Sequence, residues 1–458
     1  MKKVTYRELL FFFLPLGLRN LIVGSTHTII NAAMARLPRP ELSLAVFAVT
    51  KSVTNIIKSP ILMSKQVIIS FVNNKSKFFT VIKFILSLSG IVFLIIFLLG
   101  FSPLGEWFIK NIMGLKEREQ IEFASLAFKI MCFIPLIQLI RDIYQGIAIA
   151  LKKTSLFLPG VVIRIIVIAV FLIVVVKGNL VTGITAGSLT WLGGIGIEGI
   201  FILGYLIYLY KSPFTPAEDI EIENDESDKV EYLSVFKFFL PLGLMTSLRV
   251  FTQPLIQSGI ARSTSPTVSL AAYGVSFTLI MFITGCLKMI HQCSLVYITE
   301  IDDENWNTVF RFSLAVGIFI SIITLLVGIT PLGEWILYNL IAVSAKVGRI
   351  ARKTILAFCI FPLIRAFRQI YWGLLMKQKT TSIILIGKIT NILFVILTFV
   401  TLFYFSVIES AVIGALAFTA GETVEAFLIW NYSIGGRIRE LLSRKDQGQR
   451  RKDQVINR

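Results

Sequence analysis

The chain has 458 residues, 55% of them hydrophobic and only 16% charged, against the roughly 45–50% and 25% of soluble domains, which excludes an ordinary cytosolic enzyme. Lysine and arginine total 45 against 27 acidic residues, a formal charge of +18; in so apolar a chain that excess reports membrane orientation as much as an anionic partner. Cys132, Cys286, Cys293 and Cys359 all lie in apolar runs without a CxxC pair, and two histidines are too few for structural zinc, so neither a disulfide framework nor a metal enzyme is expected.

At about 20 residues per crossing, the apolar runs predict six helices at 9–34, 43–72, 78–101, 123–150, 156–176 and 181–210. Six more are predicted at 234–261, 268–299, 308–329, 351–376, 381–405 and 408–432. The first run follows Lys2, Lys3 and Arg7 as a signal peptide would, but its Leu14-Pro15-Leu16-Gly17-Leu18 recurs as Leu240-Pro241-Leu242-Gly243-Leu244 in mid-chain. It is therefore expected to stay as a structural helix. The acidic stretch from Pro213 to Glu231 reads as a solvated linker. The organisation expected is a six-helix bundle at 1–212, an acidic cytoplasmic linker at 213–232, a second bundle at 233–436 and a basic cytoplasmic tail at 437–458.

The halves match at offsets of 226 to 228 residues: Ser43-Leu44-Ala45 returns as Ser269-Leu270-Ala271, and Pro103-Leu104-Gly105-Glu106-Trp107 as Pro331-Leu332-Gly333-Glu334-Trp335. Pro135, Arg141 and Tyr144 likewise map onto Pro362, Arg368 and Tyr371. Six spans per half is an even number, so the repeats run parallel, related by an axis along the membrane normal, and are expected to enclose a central cavity. One chain then suffices, and a monomer is expected. Short basic segments at the N-terminus, Lys75 with Lys77, Lys152 with Lys153, Lys377 with Lys379 and Arg437 to Lys452 fall on one side, which places both termini in the cytoplasm. Lys346, Arg349, Arg352 and Lys353 are the exception.

An ionised group at bilayer depth costs about 2.5–3.5 kcal/mol on insertion scales, so intramembrane charges face a cavity or a partner. Here the basic ones outnumber the acidic by 11 to 4. Arg19, Lys51, Lys58, Lys65, Arg141, Arg164, Arg249, Lys288, Arg365, Arg368 and Lys388 stand against Asp142, Glu198, Glu422 and Glu425. Internal pairing cannot neutralise this set, which points to a path for a negatively charged solute. Lys51, Lys58 and Lys65 recur every seven residues, two helical turns, and with Asn55 predict one polar stripe down the second span. Arg19 and Arg249 follow the shared Pro-Leu-Gly element and are expected at the interface between halves. Arginine there suits phosphate or carboxylate by bidentate hydrogen bonding. Asp142 is a local counter-ion candidate for a neighbouring base. Glu198, Glu422 and Glu425 are candidates either for a coupling ion or for neutralising nearby arginines. His27 and His291 are read as structural. Gly193-Gly194 and Gly196 serve helix packing, with no GxxxxGK[ST], HExxH or GxSxG anywhere, so no cofactor, nucleic acid or enzyme chemistry is expected.

This pattern of twelve spans in two parallel halves resembles the multidrug and toxic compound extrusion (MATE) architecture and its superfamily of exporters and flippases. More narrowly it resembles the progressive ankylosis protein family. The resemblance rests on Pro15-Leu16-Gly17 with Asn20, Lys58 with Pro60, Phe71-Val72-Asn73 with Lys75, and Phe361-Pro362 with Arg365, Gly373, Leu375-Met376, Lys379 and Thr380. Leu151-Lys152-Lys153-Thr154 with Pro159 and Arg164 echoes the last group in the first half. It implies an all-α exporter of anions such as pyrophosphate, nucleotides or citrate, with Lys58, Arg164 and Arg365 at basic positions of the family pattern. A bacterial cytoplasmic-membrane location is expected. Three alternatives stand beside it: a flippase for a lipid-linked, phosphate-bearing precursor, a cation-coupled drug exporter, and a scaffold acting through its basic tail. The drug-exporter alternative is the weaker for the lack of any acidic residue between Leu9 and Met34.

Overall fold

A computed structural model describes residues 3–71, 75–113, 115, 117–210, 231–263, 265–298, 304–341 and 343–456, without the side chains of 24, 25, 28, 41, 75–77, 210, 267, 340 and 435–456. Most of the acidic linker, Asn73 and the side chains of Lys75, Lys77 and the basic tail thus lie outside the described residues. Among the described residues all regular secondary structure is helical. The first half contains α1 (Tyr6–Met34), α2 (Pro40–Ile57), α3 (Ser64–Phe71), α4 (Lys75–Phe101), α5 (Pro103–Asn111), α6 (Arg118–Met131), α7 (Ile134–Ala150), α8 (Phe157–Gly178) and α9 (Gly183–Tyr210). The second repeats the series as α10 (Tyr232–Ile260), α11 (Pro266–Ile283), α12 (Ile290–Tyr297), α13 (Trp306–Ile329), α14 (Pro331–Trp335), α15 (Ala345–Ala357), α16 (Phe361–Lys377), α17 (Ser382–Phe405) and α18 (Ser410–Ile456).

Eight of these spans are long and apolar enough to cross a bilayer by length and composition, and nine when the bent pair α11–α12 counts as one. The segments α1, α2–α3 and α15–α16 complete the twelve. Lipid-facing stripes recur at equivalent positions: Ile166, Val170 and Ile173 are exposed on α8, and Leu393, Leu397 and Val400 on α17, as expected where the outer solvent is hydrocarbon. The chain folds into two compact units, residues 10–250 and residues 1–9 with 251–458, so that the boundary cuts α1 and α10. In the first unit Phe47, Phe128, Met131 and Trp191 pack in one core. In the second, Tyr273, Phe358, Phe361 and Phe418 pack in another.

The second span is not the single helix expected over 43–72. Pro60 has no N–H to continue α2, and the Ser59 hydroxyl donates to the Ile56 carbonyl instead (2.8 Å). A 3₁₀ turn over Ser59–Met63 leads into α3, and Lys58 sits at the C-cap. The eighth span breaks at the same place by different means: a 3₁₀ turn over Cys286–Met289 bends the chain by 47°. The fourth and tenth spans are also interrupted, between α6 and α7 and between α15 and α16. At Gly146 the crossing of α7 with α3 is so close that a Cβ would press on Ile68, and at its repeat Gly373 a Cβ would meet the backbone of α12.

The duplicated Pro-Leu-Gly-Glu-Trp motif has a geometric cause. Ser102 and Thr330 end the third and ninth spans in extended conformation, and Pro103 and Pro331 open α5 and α14, where a missing N–H costs nothing. Gly105 and Gly333 then fold so tightly over the preceding turn that an added Cβ would collide with the carbonyl oxygens of Leu99 and Val327. Leu104 and Trp107 point outward from α5, as do Leu332 and Trp335 from α14, and tryptophan at such a site anchors in the head-group region. Outside the spans, a 2.7 Å hydrogen bond from Lys110 holds the Glu106 carboxyl below its ordinary range. Alanine at Gly105 or Gly333 is expected to cost about 1–3 kcal/mol, the range for forcing extra atoms into a packed site. Thermal unfolding of the purified variants measures it, and wild-type melting would refute the tight-turn account.

Candidate functional site

In the unit of residues 10–250, five cations and two carboxylates converge from α1, the broken second span, α7, α8 and α9. Glu198 of α9 is fully buried. It accepts from Arg19 Nε at 2.5 Å, from Gln145 Nε2 at 3.0 Å and from Arg164 at 3.2 Å, with Arg141 at 4.0 Å. Asp142, equally buried, accepts from Arg141 at 2.9 and 3.1 Å and from Gln138 Nε2 at 3.1 Å. A buried carboxylate is tolerated when paired and hydrogen-bonded in this way.

Two lysines stand apart from the ion pairs. Lys58 is only 6% exposed, yet its ammonium donates to the neutral Oε1 of Gln138 at 3.4 Å and lies 4.5 Å above the Trp191 ring. Lys65 donates to Gln145 Oε1 at 3.2 Å. A lysine over an indole face gains a cation–π attraction worth about 0.5–2 kcal/mol, less than a carboxylate partner supplies. His27 stacks edge-on to the same Trp191 at 6.1 Å.

In the unit of residues 251–458 three buried cations, Arg365, Arg368 and Lys388, stand against two buried carboxylates, Glu422 and Glu425. Arg368 bridges Glu422 (2.7 Å) and Glu425 (2.9 Å) and lies 4.8 Å over Trp372. Lys388 stands 3.7 and 3.9 Å from the same carboxylates, and Asn391 donates to both. Arg365 donates to the Thr284 hydroxyl at 3.0 Å and lies over Phe361 at 4.9 Å. The sequence repeat thus recurs as an ion pair between the fourth and sixth span of each half, Arg141 with Glu198 and Arg368 with Glu425.

Of the residues singled out from sequence, Arg19, Lys58, Arg141, Arg164 and Glu198 come together in one cluster, and Arg368, Lys388, Glu422 and Glu425 in the other, while Arg365 meets Thr284 and Phe361 instead. Lys51 is half-buried, 5.9 Å from the Phe47 ring, beside half-buried Asn55. Lys288 is half-buried in the 3₁₀ turn of the eighth span, where its carbonyl accepts from His291 Nδ1 at 2.6 Å. Arg249 is exposed on α10 and is not buried with the cluster. The continuous lysine stripe is corrected by the break at Lys58: Lys65 belongs to a separate helix, and the register survives because α7 presents Gln138 and Gln145 seven residues apart. Sequence reasoning passed over Gln138, Gln145, Trp191 and Asn391, since an amide or an indole in an apolar run carries no formal charge to raise suspicion. Among the described residues no three His, Cys, Asp or Glu side chains converge as metal ligands.

The class these features define is a polytopic membrane protein of the MATE fold. The chain superposes over 95% of its length on a proline-to-alanine mutant of a MATE transporter (13% identity, 96% of that chain, TM-score 0.75). An aspartate-to-asparagine mutant of the Vibrio cholerae MATE transporter VcmN matches similarly (13%, 95% and 97% covered, TM-score 0.72). A Pyrococcus furiosus transporter of the MOP superfamily, described as having a binding pocket of reverse polarity that suggests a different function, matches at 14% identity with 96% and 98% covered and a TM-score of 0.70. Within this class, residues 1–210 and 224–433 match the model of the progressive ankylosis protein (ANKH) family, and the chain belongs to that family.

Proposed function

We propose that this transporter exports an organic or phosphorylated anion, of the pyrophosphate, nucleotide or citrate kind, by alternating access in the bacterial cytoplasmic membrane with both termini in the cytoplasm. The observation that carries the reading is Lys58: a buried ammonium whose partners among the described residues are an amide and an indole, within a cluster of five cations against two carboxylates. Such a charge is stabilised most by an anion that comes and goes. The pocket of reverse polarity ascribed to the Pyrococcus furiosus transporter, and the different function it suggests there, support the idea that this fold can serve more than one function. With the cytoplasm negative, each negative charge moved outward gains about 2.3 kcal/mol per 100 mV, so export can run without a coupling ion. Glu198 then acts as counter-ion to three arginines, and Glu422 and Glu425 as counter-ions to Arg368 and Lys388.

The test is efflux from proteoliposomes loaded with labelled pyrophosphate, ATP or citrate, wild type against Lys58→Gln. Removing one charge from a desolvated, hydrogen-bonded contact costs about 2–5 kcal/mol, so transport is expected to need roughly 30-fold more substrate or to vanish, with the melting profile unchanged. Wild-type efflux by the variant would remove Lys58 from the path. No anion flux from either protein, with a cationic dye carried instead under an ion gradient, would establish the drug-exporter alternative.

A further inference from the structure

We infer that Gln138 and Gln145 are positioning residues that hold Lys58 and Lys65 away from neutralisation, so that the first half carries two anion stations in series along α7; this rests on the anion-export reading. Each glutamine does two things at once. Gln138 accepts from Lys58 through Oε1 (3.4 Å) and donates to Asp142 through Nε2 (3.1 Å). Gln145 accepts from Lys65 (3.2 Å) and donates to Glu198 (3.0 Å). Both are buried, at 1% and 0% exposure, and neither lysine forms an ion pair with a described residue. An amide is suited to this place because it satisfies a donor and an acceptor with no net charge. A carboxylate there would pair with the lysine, and an apolar residue would leave the lysine free to turn towards the acid.

The duplication gives a second, independent line. At the repeat offsets the framework residues are retained: Arg141 with Arg368, Tyr144 with Tyr371, Gly146 with Gly373, Glu198 with Glu425. Of the six residues of the two relays only Glu198 is among these, and the other five are not retained. Lys58 faces Thr284 in the alignment, Lys65 faces His291, Gln138 faces Arg365, Asp142 faces Gln369 and Gln145 faces Trp372, although the helices carrying them begin and end at the same repeat positions. Two copies that keep the scaffold and diverge along one file of contacts indicate a function located there and not in the fold. Seven residues of the continuous α7 separate the two glutamines by about 10 Å. The two phosphates of pyrophosphate share one bridging oxygen, so the ion occupies one station at a time and passes from one to the next.

The experiment is calorimetric titration of the full chain in lipid nanodiscs with inorganic pyrophosphate, for wild type, Gln138→Glu, Gln138→Leu and Gln138→Leu with Asp142→Asn. Gln138→Glu is expected to weaken binding at least about tenfold, the effect of neutralising one contacting charge. Gln138→Leu is expected to weaken it less, and adding Asp142→Asn to recover the loss by removing the acid towards which Lys58 would turn. A merely structural role for Gln138 predicts lowered melting temperature in all three and no recovery. Wild-type affinity in Gln138→Glu, or no recovery in the double variant, would overturn the spacer role and leave anion transport standing; no binding by the wild type would overturn both. If Gln138→Glu does not fold, the leucine pair decides alone.

Discussion

Replacing Glu198 with glutamine is expected to lower the unfolding free energy of the protein by about 3–5 kcal/mol, the range found when one partner of a buried ion pair is removed. The carboxylate is completely buried and meets Arg19, Arg164, Arg141 and Gln145. A glutamine of the same shape keeps one acceptor oxygen, but its NH₂ group points donors at guanidinium donors, and three buried arginines lose their common counter-charge. Intrinsic tryptophan fluorescence during thermal or chemical unfolding in detergent reads the loss, with Trp191 at the edge of the cluster as a local reporter. Added pyrophosphate is expected to recover part of it, since a ligand that binds only the folded state stabilises by mass action and here supplies the missing negative charge. Wild-type stability in Glu198→Gln would refute the counter-ion role and favour a site that Glu198 offers to a coupling ion.

The sequence makes legible whatever carries a free-energy cost in hydrocarbon. Apolar runs of bilayer length expose the spans, and charges inside them expose Arg19, Lys58, Arg141, Arg164 and Glu198, because each would be expelled unless something repaid its burial. The repeat exposes pairs such as Arg141 with Arg368. The break of the second span is written only in Pro60, and the break of the eighth span shows why that is a weak sign: the chain bends there with cysteine at the same position. The short helices α5 and α14 lie between spans, where no apolar period announces them, although the repeated Pro-Leu-Gly-Glu-Trp marks that something is built there. Gln138 and Gln145 stay hidden for a different reason. Their role depends on what stands on either side of them in space, Lys58 and Asp142 for one, Lys65 and Glu198 for the other, and amphipathic spacing along one helix does not report contacts made across three. The Pro-Leu-Gly element precedes Arg249 as it precedes Arg19, but Arg249 stands one turn further along α10 and is exposed there.

Arg368→Gln is expected to destabilise the second unit as strongly as Glu198→Gln does the first, by about 3–5 kcal/mol, but with an opposite remedy. Arg368 is the bridge between Glu422 and Glu425, two buried carboxylates three residues apart on α18; without it, Lys388, at 3.7 and 3.9 Å, must serve both. Neutralising one acid should therefore help. Adding Glu425→Gln is expected to return at least half of the lost stability, a coupling that a double-mutant cycle of unfolding free energies measures directly. In the first half no such remedy is expected, because Glu198 is shared by three arginines and the loss there is of negative charge, whereas Arg368 is shared by two carboxylates. On the proposed reading the two halves divide the work: the second sets three buried cations against two carboxylates, and the first, with five against two, is completed by an anion from outside. If the Arg368→Gln, Glu425→Gln protein folds and still exports anion, Glu425 is a framework counter-charge. If it folds and efflux stops, Glu425 belongs to the transport cycle, and the division between halves proposed here fails.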